Sequence, residues 1–316
     1  MCGACHDIVT PHGAELERTF QEWKQSVFST LPSGATCAQC HMNRGATDAP
    51  IAKFEKSPPR RLHSHRQVGV DLALTDFPER DIQKQKVEEL LASTLQSALC
   101  VKQIGPQASL RVIVDNVAVG HSFPSGSGQD RRVWFEVIAY QNGAPIYQTG
   151  VVKDGELAVD TMSDPDRWLI RDRIYDKQKK EVHMFWDAAC FDSNLLPAQV
   201  TFDTLDPRFY KTHVYTAFPA GAALLNGTPD RVTLRIRIQP VGLDILDDLI
   251  ASKDLDPSFR AAMPTIDVGP ILEWTPAEAT KKYFDSDNLP VSCVTKSNLN
   301  VAADKYPAPT YSMKCN

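Results

Sequence analysis

The chain has 316 residues, of which 42% are hydrophobic and 23% are charged. This composition excludes an intrinsically disordered chain and allows a sizeable core. The formal net charge is −5, which argues against a broad basic face for nucleic acid, and no apolar run approaches the ~18 residues of a membrane helix.

The chain begins with the first of two short cysteine motifs. Residues 2–6 and residues 37–41 both read Cys-x-x-Cys-His, the pattern by which c-type haem is attached. In this pattern both thiols bond the porphyrin and the adjacent histidine ligates the iron. We therefore expect two covalently bound haem c groups. The expected attachment residues are Cys2, Cys5, Cys37 and Cys40, and the expected axial ligands are His6 and His41. A zinc site made from both cysteine pairs and a thioredoxin-like redox pair are the alternatives.

The periodicity of the sequence changes near residue 105. Before this point, apolar residues at helical spacing predict helices over 14–28 and 80–99, with a Pro-containing irregular stretch at 44–59 between them. We therefore expect a small helical and irregular dihaem domain at 1–104.

After this point, alternation of apolar and polar residues predicts short strands. They are expected at 110–114, 133–140, 151–159, 200–202 and 232–238, followed by a short helix at 243–252 and a loop-rich tail after Pro264. In the strand at 232–238 the apolar residues are expected to face inward and Arg235 and Arg237 outward. We therefore expect an α+β fold in which residues 105–316 form an antiparallel β-sandwich domain with short helices.

Two irons with two histidine ligands each require two further histidines. His65 lies in the haem-motif half, and His121 lies in a loop rich in Gly, Pro and Ser that follows a strand. We expect these two as the distal metal ligands, with His63 and His12 as alternatives. Methionine, the other common sixth ligand, ranks second.

These motifs resemble bacterial multihaem c-type cytochromes of the cytochrome c-554-like family, in their C-terminal part. The likeness begins at residues 5–23 and includes the second motif with Met42. A Ser-His-Arg segment follows at 64–66, and a Gly-His-x-x-Pro-Ser-Gly loop lies at 120–126, with Ser125 where the family usually has Thr. The resemblance implies electron transfer.

We therefore expect an electron-transfer cytochrome with bis-His, low-spin haems and redox proteins, most readily other cytochromes, as partners. The alternative is a haem redox enzyme with one open-coordinated haem acting on a small inorganic substrate. Whether the β domain also docks a partner, and the oligomeric state, stay open.

Haem c is attached outside the cytoplasm, so a periplasmic or extracellular location is expected. Met1 is followed directly by the first motif without a signal peptide. We therefore expect the sequence to be a fragment or to have a misassigned start, and a preceding segment could carry more haems.

Four cysteines remain outside the motifs. In an oxidising compartment an even number suggests disulfides. We expect Cys293 to pair with Cys315 in the tail and Cys100 with Cys190, with buried free thiols as the alternative for the second pair.

Overall fold

The structure is a computed structural model that describes residues 2–30, 34–42, 44–50, 52, 58–221, 223–301 and 313–315. This part of the chain contains both helices and antiparallel sheets, so the expected α+β class is confirmed. Its α-helices are α1 (Thr19–Gln25), α2 (Cys37–His41), α3 (Arg80–Ala92), α4 (Leu243–Ala251) and α5 (Ser258–Ala262). Short 3-10 helices lie at Cys2–Ala4, Val27–Ser29, Phe185–Asp187 and Pro207–Thr212.

The strands of the described residues all pair antiparallel. The first half contains β1 (Ile8–Val9), β2 (Glu15–Glu17), β3 (Arg44–Ala49), β4 (Arg60–His63), β5 (Gln96–Ile104), β6 (Gln107–Asp115), β7 (Arg132–Gln141) and β8 (Ala144–Thr149). The middle contains β9 (Leu169–Ile170), β10 (Asp172–Tyr175), β11 (Glu181–Val182), β12 (Cys190–Ser193), β13 (His213–Phe218) and β14 (Arg231–Gln239). The last part contains β15 (Ile266–Asp267), β16 (Leu272–Trp274), β17 (Lys281–Phe284), β18 (Pro290–Thr295) and β19 (Lys314–Cys315).

Two of the sheets share the main hydrophobic core. One has the order β13-β6-β5-β18-β17, and the other has the order β15-β14-β7-β8, with β16 also on β14 and β9 also on β7. Leu99 and Val112 of the first sheet and Phe135 and Leu234 of the second are at most 1% exposed and belong to the same cluster. Because alternate residues of a strand face the same side, each sheet contributes one apolar face to this core.

The first predicted helix is wrong over its first turns. Residues 15–17 form strand β2, which pairs with β1, and α1 begins only at Thr19. Leu16 lies 6% exposed in a small cluster with Ala14, Ile174 and Ala188. Tertiary burial of this side chain favours an extended backbone over the helix that its spacing predicts.

The second predicted helix ends early. Helix α3 stops at Ala92, and the hydroxyl groups of Ser93 and Thr94 each donate to the carbonyl oxygen of Leu90 at 2.9 Å. Such side-chain bonds compete with continuation of the helix. The chain then enters β5, which pairs with β6 along its whole length. Strand β5 therefore belongs to a sheet of the C-terminal part, although the predicted domain boundary places it before residue 105.

The strand predictions at 110–114, 133–140 and 232–238 are confirmed within β6, β7 and β14, as is the helix at 243–252 within α4. Those at 151–159 and 200–202 are wrong, since both stretches are irregular. Val152 instead packs on Trp134 and covers the outer face of its sheet. Arg237, expected to face outward, is therefore only 7% exposed and donates to the carbonyl oxygen of Val152 at 2.8 Å.

Both expected disulfides are wrong. Cys100 is bonded to Cys293, and Cys190 is bonded to Cys315. Each pair faces directly across two antiparallel strands, β5 with β18 and β12 with β19. Strand register, which loop length alone does not indicate, therefore decides the pairing.

The helices of the described residues are all too short or too polar to cross a membrane.

Candidate functional site

The first cysteine motif folds as a tight turn. The backbone N–H groups of Cys5 and His6 both donate to the carbonyl oxygen of Cys2 at 3.0 Å. The Nδ1 atom of His6 lies 2.6 Å from Oε1 of Glu17, and the N–H of Phe20 donates to the carbonyl oxygen of His6 at 2.9 Å. The turn and its histidine are thereby held by β2 and α1.

The second motif is the helix α2 itself. Thr36 caps its N-terminus, because its hydroxyl accepts from the N–H of Gln39 while the Gln39 side chain accepts from the N–H of Thr36. The Nδ1 atom of His41 lies 2.5 Å from the carbonyl oxygen of Val68. A histidine that donates from Nδ1 to a carbonyl presents Nε2 as its metal-binding atom, with its ring orientation fixed.

The two motifs are neighbours. Burial, and after it the adjacent Cys2 thiol that hydrogen-bonds to it, raises the pKa of Cys37 above its usual value. Burial also raises the pKa of Cys40. The thiols of Cys37 and Cys40 are therefore protonated near neutral pH. All four motif cysteines are free thiols, and three of them are exposed.

His121 lies in the loop at 120–126, which connects β6 to β7. The side-chain amide of Asn116, a fully buried residue, donates to the carbonyl oxygens of His121 at 2.8 Å and Leu196 at 3.1 Å. The Nδ1 atom of His121 lies 2.9 Å from the carbonyl oxygen of Ser122. Burial lowers the pKa of His121, which favours the neutral imidazole that metals bind.

The rings of His41 and His121 are neighbours and nearly parallel. Their centroids are 6.2 Å apart and their planes differ by 12°. If two imidazoles held one metal ion in line, each metal–nitrogen bond would be about 2 Å and each ring centre would lie about 1 Å beyond its nitrogen. The two ring centroids would then be about 6 Å apart. The spacing therefore fits two axial ligands of one iron, and the thiols of Cys37 and Cys40 belong to the same motif as His41.

The other histidines predicted as distal ligands, or as alternatives to them, are His65, His12 and His63. His65 and His12 are exposed. The Nδ1 atom of His63 lies 2.7 Å from the carbonyl oxygen of Met42, directly after the second motif. The structure thus brings His121 to His41 but leaves the partner of His6 a prediction.

Two further histidines, His213 and His183, pair with carboxylates. His213 is 3% exposed, and its Nε2 lies 2.8 Å from Oδ2 of Asp115. The Nδ1 atom of His183 lies 2.6 Å from Oδ2 of Asp248.

Sequence reasoning missed three residues that hold the pair. Val68 supplies the carbonyl oxygen bound by His41. Glu22 accepts hydrogen bonds from the loop of His121. Arg131 joins that loop to the segment that follows Val68, at Asp71. The guanidinium of Arg131 makes a two-pronged ion pair with Asp71 at 2.9 and 3.1 Å and donates to the carbonyl oxygen of Ser125 at 3.2 Å. Only the position of Arg131 just after the loop offered any signal in the sequence.

A bare metal ion fits the motifs poorly. Across the described ranges, no group of three or more His, Cys, Asp or Glu side chains is arranged to hold such an ion. A structural zinc site requires four converging ligands. The donor set suits the covalent attachment of a haem better than it suits zinc.

Comparison with known proteins gives one informative result. No protein-family model matches the chain, and no curated protein matches it. Among solved structures, it is similar to a penta-heme cytochrome c552 from Thermochromatium tepidum, with a TM-score of 0.53 and 14% sequence identity. The match covers 87% of this chain and 55% of that chain, so this chain spans about half the length of that protein. The likeness shows a fold shared with a multihaem cytochrome.

Proposed function

We propose that this chain is an electron-transfer c-type cytochrome that carries at least two bis-His, low-spin haems. The observation that supports it most strongly is the neighbouring pair of His41 and His121 rings, 6.2 Å apart and 12° from parallel, beside one of two Cys-x-x-Cys-His motifs. The fold shared with a penta-heme cytochrome supports the same reading.

The residues of the proposed sites follow from the motifs. The attachment residues would be Cys2 and Cys5 for one haem and Cys37 and Cys40 for the other. The axial ligands would be His6 with His65, and His41 with His121, and His63 is the alternative to His65. When bound, haem supplies reversible one-electron transfer at iron.

The protein's own part is to orient the ligands and to set their basicity. Nδ1 of His41 and Nδ1 of His121 each face a backbone carbonyl oxygen, and Nδ1 of His6 faces the Glu17 carboxylate. Hydrogen bonds of this kind fix the tautomer and make the ligating nitrogen more basic. The carboxylate partner makes His6 the more electron-rich ligand, so we expect its haem to have the lower reduction potential.

A periplasmic or extracellular location agrees with the two disulfides, Cys100–Cys293 and Cys190–Cys315, because such bonds persist in oxidising compartments. The partners would be other redox proteins, cytochromes among them.

Haem counting tests this proposal. The chain should be exported in a host that attaches haem c, and covalent haem should be measured by the pyridine haemochrome assay against protein concentration. We expect two haems per chain in the wild type. Each of the double variants Cys2→Ser/Cys5→Ser and Cys37→Ser/Cys40→Ser should carry one. As a matched control, Cys190→Ser/Cys315→Ser should retain two. Zinc without iron in the purified protein would contradict the proposal.

The ferric spectrum separates electron transfer from the enzyme alternative. We expect only low-spin bands and no binding of carbon monoxide by the reduced protein. A high-spin charge-transfer band, with one haem that binds carbon monoxide, would instead favour a haem enzyme with an open site.

A further inference from the structure

The loop that carries His121 is held from one side by helix α1. The Oε2 atom of Glu22 accepts hydrogen bonds from the N–H of Ser122 at 3.1 Å and from the hydroxyl of Ser125 at 2.7 Å. One turn earlier, the hydroxyl of Thr19 lies 2.6 Å from that of Ser125 and accepts from the N–H of Gly126 at 3.0 Å. The Glu22 carboxylate therefore binds the residue next to His121.

The same helix contacts the first cysteine motif and the segment just before the second. The ring of Phe20 lies against Gly3, so close that a Cβ on Gly3 would be 2.6 Å from it. Trp23 packs against Gly120 and donates from Nε1 to the carbonyl oxygen of Ala35, two residues before the second motif. Helix α1 thus contacts the first motif, the segment that leads into the second motif, and the loop.

The loop is held from other sides as well. Phe123 is buried in the main core and exchanges backbone hydrogen bonds with Leu196 at 2.8 and 2.9 Å. Asn116 binds the His121 carbonyl oxygen from the sheet side, and Arg131 binds the carbonyl oxygen of Ser125. None of these contacts reaches the backbone N–H that follows His121. That group is bound by Glu22.

Resting on the proposed function, we propose that Glu22 is a positioning residue for the axial ligand His121. Its carboxylate fixes the loop so that the imidazole faces His41. Its negative charge also stabilises the oxidised, more positive iron over the reduced one, which lowers the reduction potential of that haem.

Two substitutions separate these effects. Glu22→Gln keeps an oxygen acceptor for Ser122 and Ser125 but removes the charge. It should keep the low-spin spectrum and the failure to bind carbon monoxide, while one reduction midpoint rises. Glu22→Ala removes the acceptor as well. It should raise the same midpoint and let part of the reduced haem bind carbon monoxide, which the wild type does not bind.

Glu278→Gln is the matched control, because Glu278 is an exposed carboxylate on another part of the surface. It should change neither property. All variants are first checked for two covalent haems and for the wild-type far-ultraviolet circular dichroism spectrum.

The inference is overturned if Glu22→Ala carries two haems and has the wild-type midpoints and the wild-type response to carbon monoxide. It is also overturned if Glu22→Gln and Glu278→Gln shift the midpoints equally. A wild-type chain without covalent haem overturns the proposed function and this inference together. The two outcomes above, by contrast, overturn the inference alone, because the chain still carries its haems.

Discussion

Asp172 makes the stability of this protein depend on pH. It begins β10 opposite Ser193 and is buried against Gly128, so closely that a Cβ on Gly128 would lie 2.4 Å from its Oδ2 atom. Burial raises the pKa of Asp172 to about 7, and the nearby charges of Glu22 and Asp192 also raise it, although a hydrogen bond with Ser193 opposes them. The carboxyl is therefore largely protonated in the folded protein below this pH.

The direction in which stability changes with pH follows from the linkage between proton binding and folding. The pKa of Asp172 is higher in the folded state than its ordinary value of 3.8, so between pH 4 and pH 7 the folded chain keeps a proton that the unfolded chain has released. Its contribution to stability is complete below pH 4 and is lost as the pH rises toward 7. A difference of about 3 pH units corresponds to at most about 4 kcal/mol.

Asp172→Asn places a neutral amide where the neutral acid lies. The difference in free energy of unfolding, variant minus wild type, should grow from near zero at pH 4 to as much as about 4 kcal/mol at pH 8. Urea titrations followed by circular dichroism at each pH measure it. Asp187→Asn, at an exposed carboxylate, should show no such trend. A difference for Asp172→Asn that stays constant from pH 4 to pH 8 would refute the reasoning.

Two other predictions test the packing of the sheets. Cys100→Ala/Cys293→Ala opens a loop of 193 residues and should lower the free energy of unfolding by up to about 5 kcal/mol; an unchanged urea midpoint would contradict the pairing. Gly150→Ala should cost about 3 kcal/mol or more, since φ is +68° and the new Cβ would lie 2.0 Å from the carbonyl oxygen of Phe135. Gly143→Ala, at φ +78° with nothing within 4 Å, should cost only about 1 kcal/mol, and equal losses at both glycines would show that the close approach is absent.

Local sequence patterns correctly predict some of the strands and helices. Strand β14 alternates Val232, Leu234, Ile236 and Ile238 toward a shared core, and its bounds follow from that alternation. Helix α4 follows in the same way from its apolar spacing. The inner face of β14 contacts one core along its length, so a local signal is sufficient for its apolar residues, although it does not indicate that Arg237 on the other face is covered.

The predictions that fail depend on contacts between residues that are distant in the sequence. The helix predicted at 14–28 fails because Leu16 is buried against Ile174 and Ala188, residues that no nearby pattern announces. The cysteine pairing fails for a related reason, since Cys100 and Cys293 meet through the register of β5 and β18. Loop length contains no information about such a register.

In the candidate site, too, some residues are predicted from the sequence and others are found only in the structure. The motifs give His6 and His41 directly, and counting ligands leads to His121, whose ring the structure brings next to that of His41. Glu22 has no signal in the sequence, because it contacts Ser122 across 100 residues. Ligands can be recognised by residue type, whereas residues that position them are found only in the folded chain.

Carbon monoxide binding by His121→Ala tests the central claim most directly. In the reduced protein with two covalent haems, wild type should bind none, and the variant should bind about one carbon monoxide per chain as the His41 haem loses its sixth ligand. Asn226→Ala, in an exposed loop far along the chain, serves as the control and should behave as wild type. If His121→Ala keeps an all-low-spin spectrum and binds no more carbon monoxide than wild type, His121 is not an axial ligand and the account is contradicted.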